Sequence, residues 1–202
     1  MAALRELRIV RSDGRVARLA LARGDITRFP ADALVNAANR ELAGGGGVDG
    51  AIHMAAGPEL MTELRERYRG CPTGSAVVTG AGRLAEHGVR HVIHAVGPIW
   101  RGGSRGEAEQ LASAYHAALV RAREVGAFSL AIPAISCGIY GYPLDAAARI
   151  AIAVVAQELT MSGPPEVVTF VLFSEAAALA FERALSVRLD GVGEMAGGPD
   201  RM

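Results

Sequence analysis

ALVNAANRELAGGGGVDGAIHMAA, residues 33–56, passes from a strand to a helix through a run of four glycines. Residues 33–37 are short and mostly apolar, which suits a buried strand. Residues 48–56 read as a helix. Glycine costs roughly 0.5–1 kcal/mol relative to alanine inside a regular element, so Gly44–Gly47 belongs to a loop. Bare backbone there leaves N–H groups that a phosphate approaches without meeting a Cβ. The loop also feeds a helix N-terminus, where unpaired N–H groups and the helix dipole favour an anion. A flexible linker is the alternative, but linkers rarely separate a buried strand from a helix within one compact domain.

Working outward, residues 5–10 and 16–22 read as strands joined by the turn Ser12-Asp13-Gly14, an opening hairpin. Further strands are expected at 75–79, 90–96, 128–135 and 166–173. Helices are expected at 58–68, with Pro58 in the first turn, and at 105–125. Another starts at Pro143, with Leu144, Ala147, Ala148, Ala151, Val155 and Leu159 on one side. The last covers 175–187, with Ser174 as its N-cap. This alternation predicts an α/β sandwich with helices on both faces of the sheet. The apolar strands at 128–135 and 166–173 fit a sheet covered on both sides. Residues 1–188 form a single domain in this reading, and 189–202, rich in glycine and polar residues, form a disordered tail.

The chain has 202 residues, half of them hydrophobic, with 21 basic and 21 acidic side chains. A balanced charge does not indicate nucleic-acid binding. All the basic residues are arginine. Cys71 and Cys137 are too few for a disulfide framework or a four-thiolate zinc site, so a reducing cytoplasm is the expected compartment. The N-terminus lacks a signal-peptide core, and no stretch is apolar enough to span a membrane.

A second loop, Ser136-Cys137-Gly138-Ile139-Tyr140-Gly141, directly follows the strand 128–135. Ligands of open α/β sheets sit beyond the carboxyl ends of the strands, so this is a second phosphate cradle, with an ordinary strand-to-helix turn as the alternative. Asn36 and Asn39 are the only asparagines in the chain; their amides suit ribose hydroxyls or turn capping. Asp25 suits either an exocyclic amine or a short-helix cap. His53, His91 and His94 match no zinc spacing and read as packing or turn residues. The missing G-x-G-x-x-G after the first strand argues against a dinucleotide oxidoreductase.

Taken in order, GDIT at 24–27, VNAAN at 35–39, GGGGVDGAIH at 44–53, GCPTG at 70–74, HVIHAVGP at 91–98 and IPAISCGIYG at 132–141 resemble a macrodomain. The likeness is to the MacroD-type group of ADP-ribosyl-acceptor hydrolases and covers residues 17–187. It implies a three-layer α/β/α sandwich around a mixed, about six-stranded sheet. It implies that Asp25 binds the adenine amine, that the Ile26 backbone supports the ring, and that Phe173 packs on it; a core phenylalanine is the alternative there. Asn39 would hold the distal ribose. Gly46, Gly47 and Val48 would wrap the diphosphate from one side, and Ser136, Cys137, Gly138, Ile139 and Tyr140 from the other. Cys137 stands where the family usually has threonine.

The resemblance places catalysis on Asn39 and Asp49. The chemistry is cleavage of an ester, with ADP-ribose, O-acetyl-ADP-ribose and mono-ADP-ribosylated proteins as partners and no cofactor or metal. Asp49 would orient or deprotonate water; alternatively a ligand phosphate does so and Asp49 positions the ribose, or Asp49 only pairs with its helix N-terminus. A module that reads ADP-ribose without cleaving it is the competing function. The Asn39/Asp49 pair favours the enzyme.

Overall fold

The computed structural model describes residues 3–195, with side chains described from 5 to 188. Strands are β1 (Ala3–Val10), β2 (Val16–Arg23), β3 (Ala33–Ala37), β4 (Ala76–Gly80), β5 (His91–Ala95), β6 (Ser129–Ile132) and β7 (Val167–Leu172). Helices are α1 (Gly47–Ala56), α2 (Pro58–Arg67), α3 (Glu107–Glu124), α4 (Leu144–Glu158) and α5 (Glu175–Met195). Short 3-10 turns cover Ile26–Arg28 and Gly82–His87.

The sheet runs β1-β2-β7-β6-β3-β5-β4. Its five inner strands are parallel, and the edges β1 and β4 are antiparallel to their neighbours. It therefore has seven strands rather than about six; the hairpin adds β1 at the edge. Helices α1 and α2 cover one face, and α3, α4 and α5 the other, which gives the expected three layers.

Period-2 alternation sorts the strand residues between two cores. Val35, Ile93, Leu130 and Phe170 pack with Tyr115 and Phe181 beneath α3–α5. Leu34, Val92, Ala131 and Val171 pack with Ile52 and Leu60 beneath α1 and α2. The open edge of β4 is covered by side chains: Tyr68 Oη donates to Val78 O, Arg121 Nε donates to Ala76 O, and Glu63 accepts from Gly80 N. Groups already paired in this way do not recruit another strand.

Strand β6 ends at Ile132, three residues before the expected 135, because Pro133 has no N–H for the ladder. Ser174 Oγ accepts from Ala177 N, as an N-cap does. Helix α5 continues to Met195, into the segment expected as tail; residues 196–202 lie outside the described residues.

The topology fixes where the loops go. The chain leaves β3 towards β5 on one side and leaves β6 towards β7 on the other. β3 and β6 are neighbours, so their connections diverge and open a crevice at the carboxyl ends between them. The two glycine-rich loops follow these two strands.

Candidate active site

The loop after β3 is pinned by Asn39. Its Nδ2 donates to Gly44 O at 2.7 Å, and its Oδ1 accepts from Ala43 N at 3.1 Å. Gly46 then caps α1, whose first N–H groups have no intrahelical acceptor. Gly47 holds φ 63°, a left-handed value that favours glycine.

The loop after β6 is pinned from below by the fully buried Tyr115 of α3. Its Oη accepts from Ile135 N at 2.9 Å and lies 3.4 Å from Pro133 O, to which it donates. Ser136 takes φ 65°, and its buried Oγ has no partner among the described residues. A left-handed non-glycine costs of order 1–3 kcal/mol, and strain of this kind collects at ligand sites. The loops meet: a Cβ added to Gly46 would lie 3.2 Å from Ile139 Cδ1.

Two cavities lie along this crevice and share Gly47, Val48, Ala134 and Gly138 in their walls. The smaller, about 250 Å³, is lined by Asn39, Gly46, Asp49, Ser136, Ile139 and Tyr140 among others. The larger, about 440 Å³, is lined by Asp25, Ile26, Cys137 and Phe173 among others. Together they fall in the range of small-ligand sites, roughly 300–1,000 Å³. Asp25, Ile26, Asn39, Gly46, Gly47, Val48, Asp49, Ser136, Cys137, Gly138, Ile139, Tyr140 and Phe173 each line one or both, whereas Asn36 lines neither.

At the larger cavity, Asp25 is the short-helix cap and also a wall residue. Its Oδ1 accepts from Thr27 N and Thr27 Oγ1 and caps the 3-10 turn, while the residue still faces the cavity. Phe173 is 79% exposed, which removes the core alternative. An aromatic ring left in water at a cavity mouth suits stacking on a planar base. Phe173→Ala should therefore leave Tm nearly unchanged yet weaken adenine-nucleotide binding by about 1–3 kcal/mol, as in base–aromatic stacking. Calorimetry with AMP checks this. Burial pushes the Cys137 thiol up to about 12, so it is no nucleophile at neutral pH.

At the smaller cavity, Asp49 is 5% exposed. Its Oδ1 accepts from Asn36 Nδ2 at 2.6 Å and lies 3.4 Å from His53 Nε2, one helical turn on. Oδ2 lies on the glycine-loop side, 3.1 Å from a Cβ placed on Gly45. Burial, then the charges of Glu41 and Asp49, raise the Tyr140 hydroxyl pKa, so that hydroxyl lies within the field of Asp49.

Three residues here depart from the sequence expectations. Asn36 does not reach towards a ribose; it is fully buried beneath Asp49, because β3 alternation puts it on the same face as Leu34. His94 sits beside it in register on β5, with Nδ1 3.1 Å from Asn36 Nδ2 and Nε2 2.9 Å from Thr79 Oγ1. His53 contacts Asp49 directly. These side chains form a buried polar chain rather than turn or packing residues. Burial, with His53 adding to it and Asp49 opposing, pushes the His94 imidazole down to about 3, so it is neutral. The signal was present: polar residues occupying core-face positions in two strands that are otherwise apolar. Asn36 Oδ1 is buried without a partner among the described residues, a cost of about 1–3 kcal/mol.

An α/β domain with a two-part crevice at its switch point, walled by backbone amides and ending on a buried carboxylate, has the geometry that suits a small phosphate-bearing ligand. The chain belongs to the macro domain family, whose model matches residues 35–151. It is 48% identical over 176 residues to a Citrobacter rodentium protein named O-acetyl-ADP-ribose deacetylase, covering 86% of this chain and 98% of that one. The Oceanobacillus iheyensis macrodomain with ADP matches at TM-score 0.81 and 37% identity, covering 93% and 98% of the two chains. A Trypanosoma brucei macrodomain in complex with ADP-ribose matches at TM-score 0.73 and 36% identity, covering 83% and 68%.

Proposed function

We propose that this protein binds ADP-ribose and hydrolyses its esters, deacetylating O-acetyl-ADP-ribose and removing mono-ADP-ribose from Asp and Glu side chains of proteins. The observation that carries the proposal is the meeting of the two loops over the smaller cavity, with Asp49 in its wall. Adenine lies in the larger cavity, between the carboxylate of Asp25 and the ring of Phe173. The diphosphate crosses where the cavities share Gly47 and Gly138, against the bare amides of both loops. The distal ribose enters the smaller cavity beside Asn39 and Tyr140.

The relatives named as deacetylases and the neighbours solved with ADP or ADP-ribose support this reading. In the reaction, water adds to the ester carbonyl and Asp49 Oδ2 accepts its proton. The bond from the carbonyl to the ribose oxygen breaks, and that oxygen is protonated. ADP-ribose leaves with acetate or a free protein carboxylate. The free thiols of Cys71 and Cys137 support a cytoplasmic location.

The test is a mass-spectrometric time course on O-acetyl-ADP-ribose and on a Glu-linked ADP-ribosyl protein. Release of ADP-ribose from both is expected. Tight ADP-ribose binding without release would make the protein a reader module instead.

A further inference from the structure

We propose that His94 is a positioning residue for the hydrolysis, fixing the orientation of Asp49 through the amide of Asn36. This rests on the hydrolase reading above. The geometry constrains the hydrogen bonds step by step. Asp49 Oδ1 lies 2.6 Å from the Asn36 amide, and a carboxylate oxygen at that distance tolerates an N–H but not a carbonyl. The nitrogen therefore faces Asp49. Its second hydrogen points at His94 Nδ1, 3.1 Å away, so that ring nitrogen presents a lone pair. The ring proton then sits on Nε2 and is donated to Thr79 Oγ1 at 2.9 Å.

The hydrogen bonds thus diverge from the Asn36 NH₂ group, one hydrogen going to Asp49 and the other to His94, whose own ring proton goes on to Thr79. The amide oxygen of Asn36 is buried with no partner among the described residues. Both hydrogens of its nitrogen are directed, one at Asp49 and one at His94. With Oδ1 anchored, rotation of the carboxylate is restrained and Oδ2 is directed towards the glycine loop. Remove the His94 acceptor and the amide is gripped on one side only, so Oδ2 loses its fixed aim. The burial that keeps the imidazole neutral keeps this acceptor available. His53 touches Asp49 Oδ1 from the same helix and does not replace Asn36, since it lies at 3.4 Å.

The experiment compares His94→Phe, which keeps a planar ring and removes both nitrogens, with His94→Asn, whose amide oxygen falls near the position of Nδ1. For His94→Phe, kcat on O-acetyl-ADP-ribose should fall by about 10–100-fold, the scale of a misplaced catalytic group. KM and the ADP-ribose Kd should stay near wild type. His94→Asn should recover most of the lost kcat. Wild-type kcat in His94→Phe would overturn the proposal, as would equal loss of kcat and affinity in both variants, which marks a merely structural role. Should His94→Phe fail to fold, ¹⁵N NMR of the wild-type ring decides: a proton on Nε2 and a bare Nδ1 support the lock, and a proton on Nδ1 overturns it. A wild-type protein that binds ADP-ribose and hydrolyses nothing overturns the hydrolase reading and this role with it. An active wild type with an unaffected His94→Phe overturns this role alone.

Discussion

Asp49→Ala should lower ester hydrolysis by about 10²–10⁴-fold, the usual contribution of a positioned general base. Its ADP-ribose affinity should fall by no more than the loss of one hydrogen-bond partner, about 0.5–1.5 kcal/mol. The split follows from placement. The amides proposed to hold the diphosphate belong to the two loops, whereas Asp49 lies in the wall of the smaller cavity. Alanine also strips Asn36 Nδ2 of its carboxylate acceptor, so some stability is lost. Asp49→Asn separates the two effects: an amide oxygen can still accept from Asn36, but the side chain no longer takes a proton from water. Near-wild-type turnover in Asp49→Asn would remove Asp49 from the chemistry and leave a phosphate of the ligand as the group that activates water. Single-turnover kinetics with calorimetry measures both quantities.

The second large effect is expected at Gly50, where two principles oppose each other. Inside a helix, alanine is favoured over glycine by about 0.8–1.0 kcal/mol, so Gly50→Ala ought to stabilise α1. Yet a Cβ at this position would lie 2.5 Å from the backbone carbonyl oxygen of Gly45. Main chain cannot turn aside as a flexible side chain does. The first loop must move, and with it the amides of Gly46 and Gly47. Overpacking of this kind costs typically 1–3 kcal/mol, which exceeds the propensity gain. Gly50→Ala should therefore lose at least about tenfold in ADP-ribose affinity, roughly the 1.4 kcal/mol that one decade represents. Unchanged affinity together with a raised Tm would show that the loop does not depend on this close approach.

The elements that carried strong local signals were legible. The hairpin, the helix beginning after Pro143 and the Ser174 cap each follow from residues whose backbone preference is narrow. So were both loops, the first from its run of four glycines and the second from its place directly after an apolar strand. Phe173 was legible as a strand-end aromatic, but only the fold shows its ring standing in water. The 3-10 turn Gly82–His87 escaped because one or two i→i+3 turns leave no periodicity to read. Seven strands were legible one by one, and the count of about six came from the resemblance; that β1 joins the same sheet, through β2 alone, needed the pairing.

What the sequence could not display was the partnership beneath the site. Asn36, Asp49, Thr79 and His94 come from β3, α1, β4 and β5, and they meet only once the sheet is assembled and α1 lies across it. Asn36 stands three residues before Asn39 and offers the same amide, yet strand alternation sends it into the core while Asn39 staples the loop. Residue type alone does not separate those fates; strand phase does. A polar residue in phase with buried Leu34 marks either an error in the strand or a supporting group for chemistry above it.

Backbone ¹⁵N–¹H chemical shifts, followed while ADP-ribose is added and again while adenosine is added, test most directly whether both loops grip one diphosphate. Large ADP-ribose-specific shifts are predicted for Gly46–Asp49 and for Ser136–Tyr140 together, with adenosine perturbing only the Asp25 and Phe173 end. Shifts confined to one loop, or the same in both titrations, would contradict the account.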